Sequence, residues 1–122
     1  MGSSDTFSIA DATLGTDTDT AIVAVTGEVD MQTAPSFQRG LLRALGVGRN
    51  GLVVDLSQAS FLDSAALTQL VNAFDHLRRK GGRLIIVASD PRMRTLFEVA
   101  RLDRDFEIVE SREDAINAVT TA

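Results

Sequence analysis

Residues 61–68 read F-L-D-S-A-A-L-T and place a hydroxyl group, that of Ser64, directly after the carboxylate of Asp63. The segment follows the apolar run L-V-V-D-L and precedes apolar residues at helical spacing, so it predicts the start of a helix. Asp63 is a favoured N-cap residue and Ser64 a suitable first helical residue, so the pair could serve only to begin that helix. Alternatively, Ser64 is a phosphoacceptor. A phosphate group on Ser64 would lie at the positive end of the helix, which tolerates it.

A second polar segment, T-G-E-V-D-M from Thr26 to Met31, also follows a predicted strand. In α/β proteins, ligands and partners meet the carboxyl ends of the strands. If the two strands are neighbours, Asp30 and Asp63 flank Ser64 on one surface. A phosphate there would add about −1.5 to −2 charges and would repel an acidic or apolar partner surface. The arrangement favours a binding switch over a catalytic site.

Residues that usually build catalytic or metal sites are scarce. The chain has no cysteine, and its sole histidine, His76, lies on the polar side of a predicted helix without partners at a suggestive spacing. A nucleophile–base triad therefore has no credible members. Hydrolysis by paired carboxylates is harder to exclude, since Asp30, Asp55 and Asp63 could gather at strand ends. The chain lacks the Trp and Tyr residues that sugar sites commonly use, and we expect no enzyme activity, cofactor or metal.

The segment G-V-G-R-N-G, residues 46–51, matches the spacing G-x-G-x-x-G. A dinucleotide site needs this turn after a strand and before a helix, where the helix start meets the pyrophosphate. Here the turn follows a predicted helix and leads into a strand, which indicates an ordinary loop with a capping glycine. No P-loop is present either, because the single lysine, Lys80, is followed by glycine.

Composition narrows the partners and the compartment. The net charge of −5 argues against nucleic acid, whose phosphates require clustered basic residues, and six acidic residues but no basic residue precede Arg39. No apolar stretch approaches the roughly 20 residues needed to cross a bilayer, so we expect no membrane insertion. The N-terminus lacks the basic and apolar regions of a signal peptide, which predicts a cytoplasmic protein.

The hydrophobic pattern predicts a single α/β domain with the element order β-β-α-β-α-β-α-β-α, a mostly parallel sheet and an antiparallel first pair. The domain is expected to span residues 1–122, with about the first six as candidates for disorder. The predicted strands cover 7–10, 21–25, 52–56, 83–88 and 106–109, with a loop at 11–20. Helices are expected after Thr33, Asp63, Asp90 and Ser111, and the apolar stripe of the second comprises Leu67, Leu70, Val71, Phe74 and Leu77.

Several motifs in a fixed order carry a resemblance to a known family. They are T-G-E-V-D (26–30), T-A-P (33–35), V-V-D-L-S with F-L-D-S-A-A-L (53–67), G-G-R-L-I-I-V (81–87), P-R-M-R-T-L-F (91–97) and A-R-L-D-R-D-F-E-I-V-E-S-R-E-D-A-I (100–116). In these motifs the chain resembles the STAS-domain proteins of bacteria, specifically the anti-sigma factor antagonists. The resemblance covers essentially everything after about residue 6.

The resemblance implies that an anti-sigma factor with serine kinase activity binds the unphosphorylated chain, which frees a sigma factor for transcription. The acceptor of the family's D-S-S-G or D-S-x-G loop matches Ser64; phosphorylation there would end binding until a PP2C-type phosphatase removes the phosphate. Asp30 matches the Asp of the family's G-E-L-D motif. The expected partner-binding residues are Asp30, Asp63, Ala65, Ala66, Leu67 and Gln69.

The chain departs from the family where Ser-Gly is often found, since it has Ala65-Ala66. Loss of the second serine leaves one acceptor in this loop. Alanine in place of glycine adds a methyl group and stiffens the helix start, which is expected to limit the approach of a kinase cleft and to slow phosphorylation.

Two alternatives stay open. In one, the chain is a non-phosphorylated STAS scaffold or accessory subunit, in a stress-signalling complex or beside a transporter, and Ser64 only belongs to a helix start. In the other, Asp55 is a receiver-like phosphoacceptor that uses Mg²⁺. The second is disfavoured because Asp55 lies inside an apolar run, no acidic pair follows the first strands and no lysine follows the last.

Overall fold

The computed structural model describes residues 8–13, 20–47 and 51–120. In those ranges the chain forms five strands and four helices in the predicted order. The strands are β1 (Ser8–Thr13), β2 (Thr20–Val29), β3 (Gly51–Leu62), β4 (Arg83–Val87) and β5 (Glu107–Val109). The helices are α1 (Ala34–Val47), α2 (Ser64–Arg79), α3 (Pro91–Val99) and α4 (Arg112–Thr120).

The strands form one sheet in the order β1-β2-β3-β4-β5. β1 pairs with β2 in the antiparallel sense, and the pairs that follow are parallel. The predicted fold class and the antiparallel first pair are therefore confirmed. Because β2 and β3 are parallel neighbours, with Val29 opposite Leu62, their carboxyl ends lie together at one edge of the sheet. We call this edge, which carries Asp30 and Asp63, the carboxyl edge.

The core lies on both faces of the sheet, and the two faces are unequal. The larger cluster joins Leu52 and Val54 of β3 to Phe37 of α1, Leu70 of α2 and Phe97 of α3. The smaller cluster lies on the other face, where α4 packs its buried Ala115 against residues such as Val53 and Ile85. Alternate residues of β3 thus enter opposite clusters, as expected for a strand that is covered on both faces.

The buried stripe of α2 differs from the prediction. Its fully buried residues are Ala66, Leu70, Ala73 and Leu77, whereas Leu67, Val71 and Phe74 are half-buried against the same cluster. The two alanines carry little weight in a hydrophobic pattern, although they lie on the face that meets the sheet. Helix α2 therefore packs on the sheet through two alanines that alternate with two leucines.

Several predicted boundaries were wrong. Asp11–Thr13 of the predicted loop at 11–20 belong to β1. Residues 14–19 of that loop lie outside the described residues, as do residues 1–7, which include the six that were candidates for disorder. The polar segments that follow the predicted strands, Thr26–Met31 and Phe61–Ala66, are largely strand and helix. β2 continues to Val29 and β3 to Leu62, well beyond Asp55, where β4 stops pairing. This extension rests on backbone pairing with β2, and its exposed polar residues interrupt the apolar pattern.

Asp55 is a buried carboxylate on the face that α4 covers. Its Oδ1 accepts hydrogen bonds from the Ser57 backbone N–H at 3.0 Å and from the Ser57 hydroxyl at 2.6 Å. Its Oδ2 accepts from Nε and Nη2 of Arg112, the first residue of α4, at 3.1 and 2.9 Å. Burial alone would raise the pKa of Asp55, but the bonds from Ser57 and Arg112 outweigh it and hold the pKa below its ordinary value of 3.8. The pair fixes the start of α4 to β3.

We expect acidification to weaken the domain in part through Asp55. Because its pKa is lower in the folded chain, its stabilising effect is complete above about pH 4 and is lost as the pH falls through the folded pKa. Urea unfolding at a series of pH values should therefore show a shallower decline below about pH 4 for Asp55→Asn than for the wild type. Arg112→Gln should flatten the decline as well. Identical slopes in all three proteins would contradict this role.

Candidate functional site

Helix α2 begins at an aspartate cap, as predicted. Asp63 has an extended backbone, with φ −88° and ψ −178°, and its Oδ1 accepts a hydrogen bond from the Ala66 N–H at 3.0 Å. Its carbonyl oxygen accepts the first helical hydrogen bond, from the Leu67 N–H at 3.1 Å. The cap is thus complete without the Ser64 hydroxyl. Within the described part of the chain that hydroxyl makes no hydrogen bond, and the side chain is exposed.

Asp63 also ties the helix start to the neighbouring strand. Its backbone N–H donates to the carbonyl oxygen of Val29, the last residue of β2, at 3.0 Å. Asp30 follows Val29 directly and Asp63 follows Leu62 directly, so the paired strands bring the two aspartates to adjacent positions. The condition under which Asp30 and Asp63 share a surface with Ser64 is therefore met.

Asp30 organises a turn of its own. Its Oδ1 accepts from the backbone N–H groups of Gln32, at 2.9 Å, and Thr33, at 3.1 Å. In return, the Asp30 N–H donates to the Thr33 hydroxyl oxygen at 2.9 Å. The Thr33 N–H, more than the other donors, holds the pKa of Asp30 below its ordinary value of 3.8. Asp30 therefore caps the entry to α1 and carries a negative charge at neutral pH.

Thr33 is the residue that sequence reasoning missed in this turn. The sequence predicts only that a helix begins after Thr33, whereas Thr33 also exchanges hydrogen bonds with Asp30. Its hydroxyl group donates to the carbonyl oxygen of Glu28 at 3.0 Å. The spacing D-x-x-T, residues 30–33, could have predicted this turn, because reciprocal capping joins each side chain to the backbone of the residue three positions away.

The predicted partner-binding residues do not all face outward. Ser64 is exposed, and Asp30, Asp63, Ala65, Leu67 and Gln69 are partly exposed. Ala66 is fully buried in the core beneath α2. Its methyl group therefore offers no contact surface, and the expectation that Ala66 contacts the partner was wrong. The expected effect of Ala66 on the rate of phosphorylation stays a prediction. A side chain at this third helical position points toward the sheet.

Gln69 borders a groove between α1 and α2. The groove has a volume of about 230 Å³ and is lined on the α1 side by Leu41, Leu42 and Leu45, with Gln69 and the exposed His76 on α2. Among the predicted partner-binding residues, only Gln69 lines this groove.

The described residues contain no group of three or more His, Cys, Asp or Glu side chains that could hold a metal ion. Asp55, the receiver-like candidate, is engaged by Ser57 and Arg112 instead. None of the described helices is long and apolar enough to cross a membrane. The exposed chemistry at the carboxyl edge thus includes the Ser64 hydroxyl group beside the carboxylates of Asp30 and Asp63.

Comparison with known proteins agrees with this geometry. The family model of the STAS domain matches residues 12–115. The chain belongs to the STAS family. The anti-sigma-B factor antagonist of Listeria monocytogenes is 34% identical to this STAS domain over 106 residues, covering 84% of this chain and 91% of that protein. The domain therefore groups with the anti-sigma factor antagonists, which are regulatory binding proteins.

Solved structures show the same fold. The crystal structure of an anti-sigma factor antagonist from Mycobacterium paratuberculosis superposes with a TM-score of 0.79 at 31% identity, covering 93% of this chain and 95% of that one. The antagonist SpoIIAA in its unphosphorylated form gives a TM-score of 0.70 and covers 96% of this chain and 100% of that one. Its 19% identity shows a shared fold alone.

The buried methyl group of Ala66 predicts that Ala66→Gly destabilises the STAS domain. The substitution removes core contacts, and glycine loses more backbone entropy than alanine when it folds into the first turn of α2. Together these effects should lower the free energy of unfolding by about 1–2 kcal/mol. Urea denaturation measures the change. Ala65→Gly is the matched control, because Ala65 is only half-buried in the same turn. Equal losses in the two variants would contradict the assigned direction of the Ala66 side chain.

The turn at Asp30 predicts different outcomes for two substitutions. Asp30→Asn keeps an oxygen that can accept from Gln32 and Thr33 and should unfold at nearly the wild-type temperature. Asp30→Ala removes the acceptor and should unfold at a lower temperature in differential scanning calorimetry. If both variants unfold together, the hydrogen bonds of Asp30 do not stabilise the turn.

Proposed function

We propose that this STAS domain is an anti-sigma factor antagonist that is switched at Ser64. In the unphosphorylated state it binds an anti-sigma factor that is also a serine kinase, and this releases a sigma factor. Phosphorylation of Ser64 ends the binding, and a PP2C-type phosphatase restores it. The observation that supports the proposal lies at the start of α2, where Asp63 caps the helix and the Ser64 side chain is exposed.

The chemical step requires little from the STAS domain itself. The Ser64 Oγ would attack the γ-phosphorus of ATP bound to the kinase, so that an O–P bond forms as the bond to ADP breaks. The hydroxyl proton would pass to a base of the kinase. The domain's part is to present an unbonded hydroxyl on a rigid helix end, which reduces the entropic cost of orienting the nucleophile.

The phosphorylated state should keep the fold. A phosphate on the first residue of α2 would face the positive end of the helix dipole, and the capping bond from Ala66 to Asp63 would remain. The phosphate would nevertheless add about −1.5 to −2 charges at an edge that already carries Glu28, Asp30 and Asp63. Binding would therefore be lost because the strongly hydrated phosphate would have to be buried in the interface, and not through unfolding.

Intact mass and affinity measurements test this proposal. The purified domain is incubated with ATP and each serine-kinase anti-sigma factor encoded by the same genome. We expect one kinase to add a single phosphate to the wild type and none to Ser64→Ala. We also expect Ser64→Asp to lose binding while it retains the wild-type circular dichroism spectrum.

Thr68→Asp is a matched control, because Thr68 is exposed one turn further along α2. It adds a similar charge away from the helix end and should weaken binding much less than Ser64→Asp does. Equal binding by Ser64→Asp and the wild type would refute the switch. If no kinase partner binds at all, the function as a non-phosphorylated STAS scaffold or accessory subunit takes its place.

A further inference from the structure

Large apolar side chains are exposed at a few places on the described surface. They are Met31, at 79% exposure, Leu42, at 60%, Phe61, at 42%, and Val99, at 77%. Single exposed apolar residues are ordinary on protein surfaces, so their distribution matters more than their number. Met31 and Phe61 lie at the carboxyl edge. Leu42 lies along α1, and Val99 ends α3.

Backbone hydrogen bonds hold Met31 and Phe61 on either side of the helix start. Val29 accepts the Asp63 N–H at 3.0 Å, which joins the two chain segments at this point. Met31 follows Val29 by two residues, and Phe61 precedes Asp63 by two. A residue advances the chain by at most about 3.6 Å, so each side chain begins within roughly 8 Å of that hydrogen bond. Ser64 directly follows Asp63 and therefore lies in the same small region.

Both side chains stand on rigid supports. Met31 sits in the turn that Asp30 and Thr33 close by reciprocal hydrogen bonds, yet most of its surface is open to solvent. Phe61 lies in β3 opposite Glu28 and borders a shallow cleft of about 130 Å³ against α3, with Met93 and Leu96 on the far wall. Backbone segments that are already held in this way lose little conformational entropy on binding, which favours their side chains as interface anchors.

The charges around these two side chains indicate what kind of surface would cover them. Glu28 is exposed beside Phe61, Asp30 precedes Met31, and Asp63 lies between the two segments. Arg92 and Asp90 also border the cleft at Phe61, but they form an ion pair with each other and add no net charge. An apolar partner surface alone would leave these carboxylates without counter-charges. A partner that places lysine or arginine side chains around an apolar centre matches both the apolar groups and the carboxylates.

We propose that Met31 and Phe61 are the apolar anchors that select the anti-sigma factor, and that its docking surface is an apolar patch bordered by cationic side chains. This inference rests on the proposed function and names the partner chemistry of the same site. It also gives a physical reason why a phosphate on Ser64 would prevent binding. A phosphate in the same small region as the two anchors holds water at the interface, where anchors require its exclusion.

The test uses the full chain and the serine-kinase anti-sigma factor that binds the wild type. Met31→Ala and Phe61→Ala should each weaken binding roughly tenfold or more in isothermal titration calorimetry. Val99→Ala should stay within about twofold of the wild type. Val99 is the matched control because its exposure is close to that of Met31, while it lies at the far end of α3 from the carboxyl edge. Phe61 is partly buried, so Met31→Ala decides the result if Phe61→Ala unfolds.

A second measurement tests the cationic border. Raising NaCl from about 50 mM to about 300 mM should slow association severalfold, because the attraction of the carboxylates is screened. An association rate that does not change with salt would overturn this part of the inference. Wild-type affinity in Met31→Ala and Phe61→Ala, with Ser64→Asp still blocked, would overturn the anchors while leaving the switch intact. Failure of the wild type to bind any such kinase would instead remove the proposed function.

Discussion

Asp63 is the residue on which the arrangement of the carboxyl edge depends. Its N–H binds the end of β2, its carboxylate caps α2, and its carbonyl oxygen accepts the first bond of the helix. A single residue therefore joins two neighbouring strands to the helix that follows them. Because Asp63 satisfies these backbone groups, the helix start needs no capping hydrogen bond from the Ser64 side chain. The exposed hydroxyl of Ser64 is a consequence of this capping arrangement.

The Asp30 turn repeats the same principle beside it. A carboxylate there satisfies backbone N–H groups at the entry to α1, and the next residue, Met31, is left open to solvent. The paired ends of β2 and β3 keep both turns in register. On the face of the sheet that α4 covers, the buried carboxylate of Asp55 binds the exposed Arg112 and fixes α4. The proposed binding surface is thus built from two short capped turns on a sheet that is packed from both sides.

The sequence predicted those parts of the fold that depend on local chemistry. The element order, the capping role of Asp63 and the cap at Asp90 depend on residues close in the chain, and the structure confirms them. Parts that depend on distant partners were missed. The extension of β3 to Leu62 needs β2 beside it, and the bond between Asp55 and Arg112 joins residues that are 57 positions apart. The direction of Ala66 was missed because a methyl group contributes little to a hydrophobic pattern.

The central claim is that a phosphate on Ser64 changes the surface of this STAS domain and leaves its fold in place. The most direct measurement is an amide NMR comparison of the unmodified chain with a chain that carries phosphoserine at position 64, introduced during translation. The account predicts shifts confined to the first turn of α2 and the neighbouring Asp30–Thr33 turn. Shifts throughout α4 and β5, or faster hydrogen exchange in the central strands, would contradict it.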